Sequence, residues 1–395
     1  MLQTFLILAL CAIVFLVLEQ PKVAKSNFWR ATVTPLASII GSGFLVVGPI
    51  LDHAFGAYAP LGMLALCALA YLFGMAVRQN IRTQPDFSNK NSLIEVSSSW
   101  TLALAYVISV TYYLNLFGAF AVKMTAANTQ ENARLVTTIM LLLVLFVGWT
   151  RGFRALERME QISVSVKLAI IAGLILGLAF QFSSQASAGE LILNPATTGP
   201  IGAMTLIFGL LVTVQGFEIS RFLGAEYSAK TRIRSMQFAQ FLSAGIYLSY
   251  ILLMSYIFRP EDIPLEESAI IDMMAMVAPI LPVLLIAAAL AAQFSAAIAD
   301  TGGCGGLVEE HSDKKLSARQ TYLIVTLAGI ALTWMSDIFT IISYASRAFA
   351  FYYALQAAEA ARRSWVQNRN IPKAAFFAAL ALLGLAITIF GQPVE

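Results

Sequence analysis

The stretch Val33-Thr34-Pro35-Leu36-Ala37-Ser38-Ile39-Ile40-Gly41-Ser42-Gly43-Phe44-Leu45-Val46-Val47-Gly48-Pro49 is apolar enough for a membrane helix, yet it is interrupted. Prolines bracket it, and Gly-Ser-Gly sits in its middle. A glycine weakens a helix by about 1 kcal/mol relative to alanine. Two of them around a serine, at mid-membrane depth, invite unwinding. Unwound backbone is tolerated in a bilayer only where it is buried in protein or lines a cavity. An opened helix there offers free N–H groups and the positive end of a half-helix, which suits a carboxylate.

Residues 200–220 hold a counterpart: Gly202, Gly209, then Val214-Gln215-Gly216-Phe217-Glu218. A glutamine and a carboxylate flank a glycine, and an ionisable group at such depth marks a functional site by default. Gly43 and Gly216 are 173 residues apart, with five spans in each unit. An odd number of spans makes the second unit enter from the opposite side. That is the signature of an inverted repeat whose two discontinuous helices meet at the midplane. Small residues also serve close helix packing, but their recurrence at matching positions of two halves favours breakage.

Composition agrees with lipid as the solvent. Of 395 residues, 59% are hydrophobic and 12% charged, and the mean hydropathy is +0.77. Soluble domains run at about 45–50% apolar and about 25% charged. A span needs about 20 mostly apolar residues. Twelve are read, at 3–19, 33–51, 58–78, 95–122, 135–150, 161–181, 200–220, 235–258, 272–299, 320–335, 338–360 and 372–390. The first has no basic residue before it and no small-residue cleavage motif after it, so it reads as a retained helix rather than a signal peptide. With segment 21–32 in the cytoplasm and alternation from there, 20 of the 25 Lys and Arg fall in cytoplasmic segments. Three are external, and Lys167 and Arg347 lie inside spans. This bias supports the count and puts both termini on the external or periplasmic side. The expected fold class is an all-α polytopic membrane protein integral to the plasma (inner) membrane. Its units are a peripheral N-terminal helix and linker (1–30), a first five-helix repeat (31–181), a second inverted repeat (199–361) and a peripheral C-terminal helix (362–395).

The three cysteines, Cys11, Cys67 and Cys304, are far apart and read as small buried hydrophobes. The two histidines have no ligand spacing, so no metal or cofactor is expected. No Walker-type glycine loop is present, and no nucleic-acid partner is expected.

Gly41-Ser42-Gly43-Phe44 resembles the Gly-Ser-Gly-Ile motif in the first core helix of the amino acid–polyamine–organocation (APC) transporter superfamily. Gln215-Gly216-Phe217-Glu218, with Glu226 downstream, resembles the Gly-Phe-Glu segment of its sixth core helix. Gly152-Phe153-Arg154-Ala155-Leu156-Glu157-Arg158-Met159-Glu160-Gln161-Ile162, through Lys167, resembles the loop and fifth core helix with its embedded lysine. The resemblance covers roughly residues 30–360. It implies the five-plus-five inverted-repeat (LeuT-type) fold first seen in a bacterial leucine transporter. It also implies that the backbone at Ile40, Gly41, Ser42 and Gly43 holds a substrate carboxylate. Carbonyls around Val214, Gln215 and Gly216 would hold the amino group, with Phe217 as a lid. The ending Asp300-Thr301-Gly302-Gly303-Cys304-Gly305-Gly306 is not part of the resembled pattern.

Several side chains are candidates for coupling and gating. Lys167 lies in an apolar helix, where desolvation favours the neutral amine; the resemblance implies that it replaces a sodium ion between core helices one, five and eight. The opposing reading is a lysine snorkelling to the inner interface. Ser295 is the one hydroxyl at the depth a sodium site would need. Asp300 is read as a partner of Lys167 or a proton acceptor, with a solvated acid at a helix end as the opposing reading. Arg347 is read as a gate against Glu218 or Asp300. Tyr113, which shares a face with Tyr106, is read as a substrate contact, with aromatic packing as the opposing reading. The expected function is secondary active transport of a small amino-acid-like solute, coupled to protons or alternatively to sodium, by alternating access around the two broken helices. A non-transporting membrane sensor of the same fold is the rival. An intramembrane enzyme lacks a convergent nucleophile–base or metal cluster.

Overall fold

The computed structural model describes residues 2–41, 43–83, 93–150, 157–263, 266, 268–367 and 369–392. Ser42 and residues 152–156 of the loop motif lie outside these. All regular structure among them is helical. In chain order the helices are α1 (Leu2–Leu18), α2 (Pro21–Ala24), α3 (Asn27–Ile39), α4 (Gly43–Phe55), α5 (Ala59–Thr83), α6 (Leu93–Lys123), α7 (Gln130–Thr150) and α8 (Glu157–Ala188). There follow α9 (Pro200–Gly209), α10 (Ala229–Met254), α11 (Ala269–Val277), α12 (Leu281–His311), α13 (Ala318–Met335), α14 (Ile338–Val366) and α15 (Ile371–Phe390). Eight helical stretches among the described residues are long and apolar enough to cross a membrane. α1, α7 and α15 expose many large apolar side chains, such as Phe5, Phe146 and Leu382. Such a belt is untenable in water and natural in lipid.

The first interruption falls where the glycines put it. α3 ends at Ile39, and α4 restarts at Gly43. Pro35 and Pro49 sit inside the two half-helices rather than at the ends of one. The helix also runs on to Phe55, four residues past the end read from hydropathy, and so carries Asp52 within it.

The second interruption starts earlier than the sequence suggests. α9 stops at Gly209, and the chain continues in tight 3-10 turns at Leu211–Val214, Phe217–Arg221 and Leu223–Ala225. Between the first two, Gln215 is extended, and Gly216 takes φ +114°. Only glycine adopts that backbone freely. The second half of this span is therefore a wound loop, not an α-helix.

The two interruptions press on each other. A Cβ on Gly43 would stand 2.6 Å from Thr213 Cα, and one on Gly216 would stand 2.4 Å from Ser38 Cβ. The glycines permit backbone-to-backbone contact at the centre of the molecule. α6, α12 and α14 pack around that contact, while α1 lies against α8 and α15 against α14.

Gly216→Ala is expected to lower the thermal unfolding midpoint strongly, through both its φ and the Ser38 clash. Gly245→Ala, in mid-α10 where a Cβ meets nothing within 4 Å, is expected to stabilise by about 0.5–1 kcal/mol. Thermal unfolding of the two purified variants checks both signs.

Candidate functional site

A helix end leaves its last carbonyls without intrahelical partners, and in lipid each must be satisfied within the protein. At the end of α3 two other helices supply the donors. Lys167 Nζ on α8 donates to Ala37 O at 2.8 Å, and Tyr247 OH on α10 lies 2.9 Å from Ile39 O. The same hydroxyl lies 2.6 Å from Thr213 O in the second interruption. Its one proton serves one carbonyl at a time, so Tyr247 ties the two broken elements through a shared donor. Lys167 is only 4% exposed. It is anchored to a broken helix rather than snorkelling.

The wound segment is held in the same way. Val212 N donates to Ser346 Oγ at 2.9 Å. Gln215 Nε2 donates to Tyr113 OH at 2.9 Å. Glu218 Oε2 accepts from Gly216 N at 3.0 Å and from Tyr353 OH at 2.7 Å. Phe217 is fully buried, and its ring stacks on Tyr353, with centroids 4.9 Å apart; Tyr353 in turn stacks on Phe73. In this conformation Phe217 is a packed side chain of the core.

Several buried polar atoms around this contact have no hydrogen-bond partner: Gln215 Oε1, Glu218 Oε1, Ser343 Oγ and both amide atoms of Gln293. Ser38 Oγ lies beside the Tyr113 hydroxyl without a bond of good geometry. Desolvating a polar group without a partner costs about 1–3 kcal/mol. Such a group is retained where something else completes it. Gln293 was not singled out from the sequence, although an amide in the apolar run of α12 was the available signal. It lines a small cavity of about 20 Å³ with Gly41, Phe44, Leu45 and Lys167, room for one water-sized group.

A larger cavity of about 600 Å³ opens beside Asp300. Tyr106 and Thr34 form one part of its wall, Ile219, Arg221 and Phe222 another, and Gly302, Gly303 and Gly306 of α12 a third. The glycine-rich run thus shapes a cavity wall. Asp300 is buried and accepts a hydrogen bond from Ser109 Oγ of α6, so its partner is Ser109 and not Lys167. Ser295 Oγ bonds its own helix at Ala292 O, 3.0 Å away. Arg347 Nε donates to Thr388 O of α15 at 2.7 Å. It faces the peripheral helix rather than Glu218 or Asp300.

One cluster forms among basic residues that the sequence pattern counts only as cytoplasmic charges. Arg221 and Arg232 are buried. Arg221 pairs with Glu95 of α6 and bonds Gln356 of α14, while Arg232 Nη1 donates to Arg221 O at 2.7 Å. Gln356 also bonds Ser98 at 2.6 Å and Asn80 at 3.0 Å. The wound segment is therefore pinned to α5, α6 and α14 at the edge of the large cavity.

Interrupted helices meeting at a buried centre, polar groups left open around them and a cavity lined by α3, the wound segment and α12 are the features of a polytopic helical membrane transporter. A family model described as "APC superfamily transporter" matches residues 21–391. The chain belongs to the APC superfamily of transporters. An uncharacterized protein of Aquifex aeolicus (strain VF5) is 38% identical over 387 residues, covering 95% of this chain and 93% of that one. Among solved structures, the substrate-bound outward-open state of a Na+-coupled sialic acid symporter superposes with a TM-score of 0.56. That match has 12% identity and covers 100% of this chain and 99% of the other, a likeness of fold.

Glu95→Ala removes the carboxylate that pairs with the buried Arg221 guanidinium. It is expected to destabilise by roughly 3–5 kcal/mol. The double variant Glu95→Leu/Arg221→Met is expected to recover most of that loss, as read from thermal unfolding of both proteins.

Proposed function

We propose that this chain is a secondary active transporter of a small amino-acid-like solute, coupled to protons through Lys167. The observation that carries this reading is the bond from Lys167 Nζ to Ala37 O. It puts an ammonium group at the end of a broken half-helix, beside a cavity of one water-sized group. A charged lysine there holds α3 to α8. A neutral lysine keeps donors but loses the charge that strengthens the bond. Loading and release of one proton then change how firmly the broken helix is held.

The solute site of this reading is the contact between the interruptions. The N–H groups at the start of α4 have no intrahelical acceptors and suit a carboxylate. Gln215 Oε1, Glu218 Oε1 and the carbonyls of the wound segment suit an amino group. The architecture is twelve spans in two inverted repeats of five, with α1 and α15 peripheral, in the plasma (inner) membrane with both termini outside. In support, helices at matching positions of the two halves pack on each other: α5 on α10, α6 on α12 and α7 on α13. The large cavity is the path between the site and the side that bears the basic segments.

Thermal unfolding of detergent-purified protein against amino acids, amines and nucleobases tests this, since a ligand of the native state raises the midpoint. The expected result is stabilisation by one amino-acid class that depends on pH, ignores sodium and loses its pH dependence in Lys167→Ala. Stabilisation that requires sodium overturns proton coupling. Indifference to every amino acid overturns the solute class.

A further inference from the structure

Asp52 is the acid that nothing above employs. It sits in α4, four residues after Gly48, and is 1% exposed. Both of its carboxylate oxygens are buried without a hydrogen-bond partner. Residues four apart share a helix face, and helical side chains lean toward the N-terminus, so the Asp52 carboxyl leans back over Gly48. The space above Gly48 is filled by Tyr250 of α10: a Cβ on Gly48 would stand 2.3 Å from the Tyr250 hydroxyl oxygen. That hydroxyl is itself buried and without a partner. Asn194 also neighbours the carboxyl, while donating its amide to Phe258 O at 3.0 Å.

An ionised carboxylate without donors in an apolar surrounding is prohibitively unfavourable; such a group neutralises or takes a cation. Among the described residues, no lysine or arginine of the elements packed on α4 hydrogen-bonds to Asp52. α10 contributes Tyr250 and Tyr247, the latter engaged at the two interruptions. α5 contributes Cys67. The acid of α11, Asp272, is bound to Lys123 at 2.7 Å. Tyr58 at the α4–α5 turn is exposed, and His53 follows Asp52 on α4 itself. Of these, Tyr250 is the one whose hydroxyl fills the space over Gly48, one helical turn before Asp52. A metal cation needs a shell of oxygens, whereas a proton needs one.

We propose that Asp52, with the Tyr250 hydroxyl beside it, is a proton-binding site of α4, separate from Lys167 and on the other side of the break. In the conformation described, the acid carries its proton. Movement of α4 away from α10 exposes the carboxyl to water, where it ionises. Its protonation then favours the packed arrangement of α4. That part rests on the transporter reading; the bound proton does not.

Infrared spectra of purified protein at neutral pH read the proton directly, without any solute or flux. The wild-type minus Asp52→Asn difference is expected to show loss of one protonated-carboxyl band and no loss of carboxylate absorption. Asparagine mimics the neutral acid in shape, so the variant is also expected to unfold at a midpoint that falls less with rising pH than the wild type. One proton released on unfolding is worth a tenfold change in the equilibrium per pH unit. Loss of a carboxylate band instead, or a carboxylate that persists only with sodium present, overturns the proposal. Should the asparagine variant not fold, Tyr250→Phe takes its place. It is expected to shift the protonated-acid band, and an unchanged acid region in that variant overturns the proposal equally.

Discussion

The hydroxyl of Tyr247, within reach of the carbonyls of both Ile39 and Thr213, is the contact on which the centre of this protein depends. Opening a helix inside a bilayer strands backbone groups that water would otherwise satisfy. Two openings side by side double the demand. The chain meets it with side chains from helices that are themselves continuous: Tyr247 from α10, Lys167 from α8 and Ser346 from α14. The glycines at 43 and 216 let the openings touch, and the intact helices make that contact tolerable. Both conditions are needed, because close backbones without donors would be stranded, and donors without glycine could not reach.

The ionisable groups are arranged around this centre in four separate surroundings. Lys167 is bound to a helix end. Asp300 and Glu218 are bonded to hydroxyls of Ser109 and Tyr353 near the large cavity. Asp52 is buried with Asn194 and Tyr250 as its polar neighbours. Arg221, Glu95 and Gln356 form a fourth group that holds the wound segment against α6 and α14. A buried pair of that kind contributes little net stability against an apolar replacement. It does fix where the segment sits, which is what a hinged element beside a cavity requires.

Much of this was legible in the sequence. The Gly-Ser-Gly break, the embedded lysine and the glycine–glutamate segment each carry a local signal: a helix breaker or a charge in an apolar run. Other features were not legible, for identifiable reasons. Asp52 was lost because hydropathy falls at the residue itself, so the span was ended at Leu51 while the helix continues. Arg221 looked like a loop cation because its partners, Glu95 and Gln356, are more than a hundred residues away. Tyr247 looked like one aromatic among many, since its role exists only once two distant carbonyls converge on it. The second break was placed too late, because Gly216 is conspicuous and the end of α9 at Gly209 is not. Arg347 was assigned to a gate by depth alone, and depth does not say which neighbour a side chain faces.

The central claim is that the contact between the two interruptions is where solute binds. The alkylation rate of a single cysteine at Ser38, in protein whose Cys11, Cys67 and Cys304 have been replaced, tests it most directly, because Ser38 faces Gly216 across that contact. The account predicts that the solute which stabilises the protein slows this alkylation in proportion to its saturation. An unchanged rate at a saturating concentration of that solute would contradict it and put the binding site elsewhere.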